Sequence, residues 1–176
     1  EKTKATAEKL KAALAAAQAE PANAAAWEEA ETLASQLQKP DDMAALYRKV
    51  LKPGLDSELV TALGQRALRF FEEWYAGETD RAVELLRQVL AADPDADWAI
   101  ERITILLSVQ QRWDEVLATY DQALSGTSEG ARRHRLLQEA AAVASDSGAT
   151  ERAIGYLQAL FNTTPAAPEI SSALER

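Results

Sequence analysis

With 176 residues, 47% of them hydrophobic and 27% charged, the chain is long enough to bury a sizeable core and has the composition of a protein that folds in water. Its net charge of −9 repels phosphate backbones and argues against nucleic acid as a main partner, and the absence of cysteine removes disulfide frameworks and thiolate metal sites. No uncharged apolar run approaches the roughly 18–20 residues that a bilayer span needs, no signal-peptide pattern opens the chain, and a reducing, cytoplasmic setting is the expected one.

Alanine supplies 37 of the 176 residues, whereas runs of Val, Ile and Thr are scarce. Alanine is the best helix former and lets helix backbones approach closely, so the expected class is all-α. In chain order, residues 4–20 read as a lone helix stopped by Pro21. Residues 24–37 and 41–52 read as a pair of helices turned at Gln38–Pro40, and Pro53-Gly54 as a loop. Asp56 or Ser57 starts the next helix, which runs to about Tyr75 before Gly77 ends it. Thr79 is expected to cap a helix over 79–92, in which Ala82, Leu85, Leu86, Val89 and Leu90 share one face and which Pro94 stops. The pair 97–110 and 113–125 follows, then a linker, GTSEGA, and the pair 131–146 and 150–162. Residues 168–176 read as the beginning of a further helix, and the chain starts and stops in mid-repeat, which predicts that the array continues on both sides.

These elements recur with a common frame. A small or apolar anchor is followed four residues later by a large residue and three after that by another apolar one: Ala82, Leu86, Val89; Met43, Tyr47, Val50; Val116, Tyr120, Ala123; Ala153, Leu157, Leu160; and, more weakly, Lys9, Ala13, Ala16. The anchors Lys9, Met43, Ala82, Val116 and Ala153 stand 34, 39, 34 and 37 residues apart, and Pro165 follows Ala153 as Pro94 follows Ala82. A first helix precedes each full copy: Trp27, Ala30, Ala34; Val60, Leu63, Gly64, Ala67; Ile100, Ile103, Leu107; and Leu137, Ala140, Ala144. Gly64 inside a helix costs about 1 kcal/mol against alanine, which predicts close approach of a packed helix at that point. Trp27, Tyr47, Ile100, Ile103, Leu106, Tyr120, Leu137 and Leu157 are the expected core.

The period near 34, the two-helix unit, the helix-ending prolines, Trp27, Leu63-Gly64 and the Ala-x3-aromatic frame together resemble the tetratricopeptide repeat family. The resemblance covers nearly the whole chain. It implies one domain over 1–176, a right-handed α-α superhelix of antiparallel helix pairs, with repeats at about 24–56, 57–96, 97–130 and 131–167. It further implies a non-enzymatic scaffold whose first helices line a concave groove that holds a peptide or a partner helix. Carried over by position, that groove presents Glu28 and Thr32; Thr61, Gln65 and Arg69; Trp98, Glu101 and Ile105; and Gln138. The Lys, Arg and Asn clamp with which chaperone-binding members hold a C-terminal carboxylate is mostly replaced here by Glu, Thr, Gln and Ile, so a basic or amphipathic segment is the better expectation.

The residues themselves supply little chemistry. The single histidine, His134, lies in ARRHR, there is no second histidine for a metal pair, and no Gly-rich phosphate loop is present, so no catalytic residue, metal or cofactor is expected. Adjacent acids such as Glu28-Glu29 and Glu72-Glu73 point about 100° apart on a helix and read as a solvated face. Arg132, Arg133 and Arg135 read as a solvated first turn paired with Glu129 and Glu139 rather than an anion site.

One irregularity stands out. Trp27–Met43, Ile100–Val116 and Leu137–Ala153 are each 16 residues apart, but Val60–Ala82 is 22. The added residues carry Phe70, Phe71, Trp74 and Tyr75 on a helix longer by about a turn and a half. Two expectations follow: either these aromatics project as a partner-binding hot spot, or they fold back as core onto Trp98 or Trp113. Alternatives to a peptide-binding scaffold are a structural or self-associating spacer, an RNA-processing scaffold of the related half-repeat type, which the charge disfavours, and a regulatory domain within a larger protein.

Overall fold

Pro and Gly punctuation cuts the chain into helices where the sequence expects them. The computed structural model describes residues 2–163, and among the described residues every regular element is an α-helix. In order these are α1 (Lys2–Ala19), α2 (Ala24–Gln36), α3 (Pro40–Val50), α4 (Ser57–Trp74), α5 (Thr79–Ala92), α6 (Asp97–Val109), α7 (Trp113–Ser125), α8 (Ala131–Asp146) and α9 (Thr150–Thr163). The helix start expected at 168–176 lies outside the described residues. Among the described residues no helix is long and apolar enough to cross a membrane.

Local chemistry sets the helix starts. The Asn23 side chain accepts from the Ala26 N–H, Asp56 accepts from the Glu58 N–H, and α3 opens with Pro40 in its first turn and closes with Arg48 and Lys49 in its last. Thr79 departs from expectation: it is the first residue of α5, and Glu78 holds the capping position without a side-chain cap bond. The turn is closed instead by the Arg81 N–H donating to the Glu78 carbonyl at 3.0 Å, while the Glu78 carboxylate pairs with Arg81 at 2.6 Å.

The turn within each helix pair has a common conformation that the sequence conceals. Gln38, Gly77, Gln111 and Gly148 all have φ between 54° and 85°, and each stands five residues before its repeat's anchor, Met43, Ala82, Val116 or Ala153. In three of these turns the next N–H closes back on the preceding helix: Lys39 to Ala34 at 2.8 Å, Arg112 to Leu107 at 3.0 Å and Ala149 to Ala144 at 2.8 Å. This is the left-handed helix ending that glycine adopts at no steric cost and glutamine adopts at some.

By compactness the chain divides into two units, Glu1–Arg102 and Ile103–Arg176, with the boundary inside α6. In the first unit α1 lays Leu10, Ala13 and Ala17 against α2 and α3, α2 packs on α3, α3 on α4 and α4 on α5. Trp27 stacks on Tyr47 with ring centroids 4.8 Å apart and planes within 11°, and its indole N–H donates to the Pro21 carbonyl at 2.9 Å. Polar bridges tie α2 to α4, α4 to α6 and α3 to α5, each helix to its equivalent in the next pair. Arg66 of α4 grips Glu31 of α2 through two hydrogen bonds of 3.0 and 3.1 Å, Arg102 pairs with Glu72, and Gln88 of α5 donates to the Leu51 carbonyl at 2.7 Å. In the second unit α7 packs on α8 and α8 on α9, and Asp121 of α7 receives Arg152 and Tyr156 of α9.

The expected core is largely buried: Trp27, Tyr47, Ile100, Ile103, Tyr120 and Leu137 are buried, and Leu106 is half-buried. Leu157 is the correction, at 54% exposure. Tyr156, one position earlier, turns inward together with Ala153, and no helix among the described residues covers the face that carries Leu157.

Gly64 behaves as its position predicts. A Cβ built there meets Val89 Cγ2 at 2.9 Å and the Trp98 ring at 3.0 Å. Val89 is fully buried and cannot move aside. Gly64→Ala should therefore lower stability by about 1 kcal/mol, the overpacking cost of roughly 1–3 kcal/mol exceeding the helix-propensity gain of about 1 kcal/mol. Chemical denaturation of the variant checks the sign: a stabilised Gly64→Ala protein would mean that the Trp98 contact is loose.

Candidate functional site

Two first helices of the first unit, α2 and α4, face each other across an open cleft of about 430 Å³. Helical spacing determines what lines it. From α2 come Glu28 and Glu31, three residues apart; from α4 come Arg66, Arg69, Phe70 and Glu73, at spacings of three, one and three. Phe70 is buried and Glu28, Arg69 and Glu73 are exposed.

One side of the cleft is chemically satisfied. Glu31 accepts both guanidinium hydrogen bonds of Arg66 and the Tyr47 hydroxyl proton. Burial, and then the Glu31 carboxylate, push the Tyr47 phenol well above its ordinary range. Burial works against the charge on Arg66, but the Glu31 carboxylate outweighs it and raises that guanidinium further. With Glu31 and Arg66 neutralising each other, Glu28, Glu73 and Arg69 are the charges presented to solvent.

The expected groove residues distribute unevenly. Glu28 and Arg69 line the cleft, together with Phe70 of the inserted aromatic run. Thr32 is exposed and its hydroxyl donates to the Glu28 carbonyl at 2.8 Å. Thr61 is half-buried and Gln65 exposed on α4; Trp98, half-buried, lies over Gly64; Glu101 and Gln138 are exposed; and Ile105 is exposed on α6. Glu31, Arg66 and Glu73 were not among the expected residues, although each stands three or four residues from one that was: Glu31 from Glu28, and Arg66 and Glu73 from Arg69.

The inserted aromatic turn points inward. Phe70, Phe71 and Tyr75 are buried, so they do not form a projecting patch; Trp74 alone is half-buried. Among the described residues, their ring contacts run to α3 and to one another rather than to Trp98. The longer α4 carries them onto α3 and the start of α5: Phe70 lies 6.1 Å from Tyr47, Phe71 meets Tyr75 edge-on at 5.5 Å, Arg48 sits over the Phe71 ring and Arg81 over the Tyr75 ring at 4.1 Å. The Tyr75 hydroxyl donates to Asp41 at 2.6 Å and holds that carboxyl below its ordinary range.

The arginine cluster is engaged in the chain's own structure. Arg133 donates to the Leu124 carbonyl at 2.7 Å and the Thr127 carbonyl at 3.2 Å, closing the C-terminal end of α7. Arg132 donates to the Thr127 hydroxyl, Arg133 also pairs with Glu129, and Arg135 with Glu139.

Tyrosine–carboxylate pairs give the protein an alkaline limit. Burial, then the facing Asp41 or Asp121 carboxylate, pushes Tyr75 and Tyr156 each up to about 12, against 10.0 in the unfolded chain. Between these values the unfolded state has released its proton and the folded state has not, so stability is fully present below pH 10 and falls as pH rises toward 12. Denaturation midpoints measured from pH 9 to 12 should fall over that interval, and less steeply in Tyr75→Phe and Tyr156→Phe.

Comparison with known proteins bears on the repeat. Residues 73–140 match the family model described as tetratricopeptide repeat. No characterised protein matches the sequence. Among solved structures the chain is similar to a crystal structure of MamA, at 15% identity and a TM-score of 0.43, over 88% of this chain and 85% of that one. A second MamA crystal structure gives the same identity and TM-score, over 88% and 80%. The crystal structure of BtubC (BKLC) from P. vanneervenii gives 14% and 0.41, over 94% and 74%. The matched repeat family generally mediates protein–protein interaction and is generally non-enzymatic. The all-α pairing of helices and the recurring frame agree with the tetratricopeptide repeat match, which covers residues 73–140.

Proposed function

We propose that this protein is a non-enzymatic interaction scaffold, and that the α2/α4 cleft receives a Lys or Arg side chain from an extended or helical partner segment. The cleft itself carries the reading: exposed Glu28 and Glu73 stand on its two walls with Phe70 between them, while Glu31 is already spent on Arg66. A cation entering there meets the exposed carboxylates of Glu28 and Glu73, which together outnumber the one exposed cation of the cleft, Arg69, and its aliphatic stem lies near Phe70.

Calorimetry with ten-residue peptides that differ only in a central Arg or Glu tests the reading. The Arg peptide should bind, with affinity falling as salt is raised from 50 to 300 mM. Glu28→Gln and Glu73→Gln should each weaken it about two- to fivefold, the worth of an exposed ion pair of roughly 0.2–1 kcal/mol. Equal binding of Arg and Glu peptides, or binding indifferent to both substitutions, would discard the cleft as the site.

A further inference from the structure

The second unit has an open cleft of its own, of about 520 Å³. Residues 111–115 line it from the start of α7, and residues 147–149 from the turn into α9. Arg112 donates to both carboxylate oxygens of Glu115, so these two charges cancel. Trp113 is half-buried. Asp114 is exposed and has no hydrogen-bond or ion-pair partner among the described residues. The cleft therefore sets an uncompensated carboxylate beside an indole.

The first unit shows what such a carboxylate holds. Asp41 stands two residues before the anchor Met43, as Asp114 stands two before Val116. Each lies in the first turn of its helix, where a negative charge complements the dipole. Asp41 also holds a cation: the Arg81 guanidinium lies 3.5 Å from its carboxylate and 4.1 Å from the centre of the Tyr75 ring. Arg81 stands one residue before the next anchor, Ala82. The residue in that place before Ala153 is Arg152, and it is drawn away to Asp121 and the Tyr156 hydroxyl. Asp114 thus keeps the position of Asp41 without its cation. A ring is still at hand, since Trp113 stands before Asp114 where Pro40 stands before Asp41.

We propose that this cleft binds an arginine side chain of a partner protein, paired with Asp114 and laid against the Trp113 ring as Arg81 is with Asp41 and Tyr75. Arginine suits the place better than lysine, because a planar guanidinium stacks on a ring while its N–H edge reaches a carboxylate. The cleft shares no residue with the one between α2 and α4, so failure of either site leaves the other standing.

Nuclear magnetic resonance of the isotope-labelled full chain tests this, with the capped tripeptides acetyl-Gly-Arg-Gly-amide and acetyl-Gly-Lys-Gly-amide as probes. The indole N–H signal of Trp113, identified as the one lost in Trp113→Phe, should shift saturably with the Arg tripeptide and more weakly with the Lys tripeptide. Asp114→Asn, at an exposed position, should weaken the Arg titration about two- to fivefold, and so should added salt. Glu28→Gln and Glu73→Gln should leave it unchanged. A Trp113 signal that the Arg tripeptide does not move overturns the proposal. So does a titration indifferent to Asp114→Asn, one equal for the two tripeptides, or one abolished by Glu28→Gln or Glu73→Gln.

Discussion

Trp27→Ala should lower the unfolding free energy by about 3–5 kcal/mol, among the largest single effects available in this chain. Three losses combine. The indole is 1% exposed, so its removal leaves a void that the surrounding alanines, Ala30 and Ala34, are too small to fill. The parallel stack on Tyr47 disappears. The Pro21 carbonyl loses its 2.9 Å donor. Trp27→Phe restores most of the volume and an aromatic face but not the donor, and should recover more than half of the loss. The effect should also reach the cleft, because Tyr47 is at once the stacking partner of Trp27 and a donor to Glu31. Urea denaturation measures the first consequence and peptide calorimetry on the folded variant the second. A cost below about 1 kcal/mol would show that the stack contributes little.

Leu86→Ala should cost about 2–5 kcal/mol. Leu86 is fully buried in α5, flanked on the same face by Leu85 and Val89, and α5 packs directly on α4. Its truncation removes the branch carbon and two methyl groups beside Val89, which is itself fixed by its close approach to Gly64. Val109→Ala is the matched control. That valine is 81% exposed near the end of α6, and its truncation should change stability by less than about 0.5 kcal/mol. Equal losses at the two positions would contradict the packing described for α5.

The helices were legible because three signals coincide: alanine-rich stretches, apolar residues at spacings of three and four, and Pro or Gly at the breaks. Each helix expected between residues 4 and 162 is present, with ends displaced by no more than two residues. What the spacing does not contain is the identity of the covering element. The run Phe70, Phe71, Trp74, Tyr75 announces a longer α4, and its length is as expected, but whether the extra turn leans outward or onto α3 depends on residues far away in sequence, such as Asp41, Arg48 and Tyr47. Leu157 fails for the same reason, since its frame matches Leu86 but no helix among the described residues covers it. The left-handed turns were half legible. Gly77 and Gly148 advertise them, whereas Gln38 and Gln111 adopt the same backbone with no compositional sign, and only their common offset from the anchors betrays them. In the cleft, Glu28 of α2 and Arg69 of α4 could be read from their places on the first helices of two repeats. Glu31, Arg66 and Glu73 lie at helical spacings from these, but their meeting across two helices 35 residues apart leaves no mark in the local pattern.

The polar bridges have a bearing on how quickly the chain finds its structure. Glu31–Arg66 spans 35 residues, Asp41–Tyr75 34, Leu51–Gln88 37, Glu72–Arg102 30 and Asp121–Tyr156 35. None requires the ends of the polypeptide to meet, so the loops closed on the way to the native state stay short and their entropic toll stays small. Such low contact order belongs to the fast class, with refolding in microseconds to milliseconds and nucleation possible at more than one point along the polypeptide.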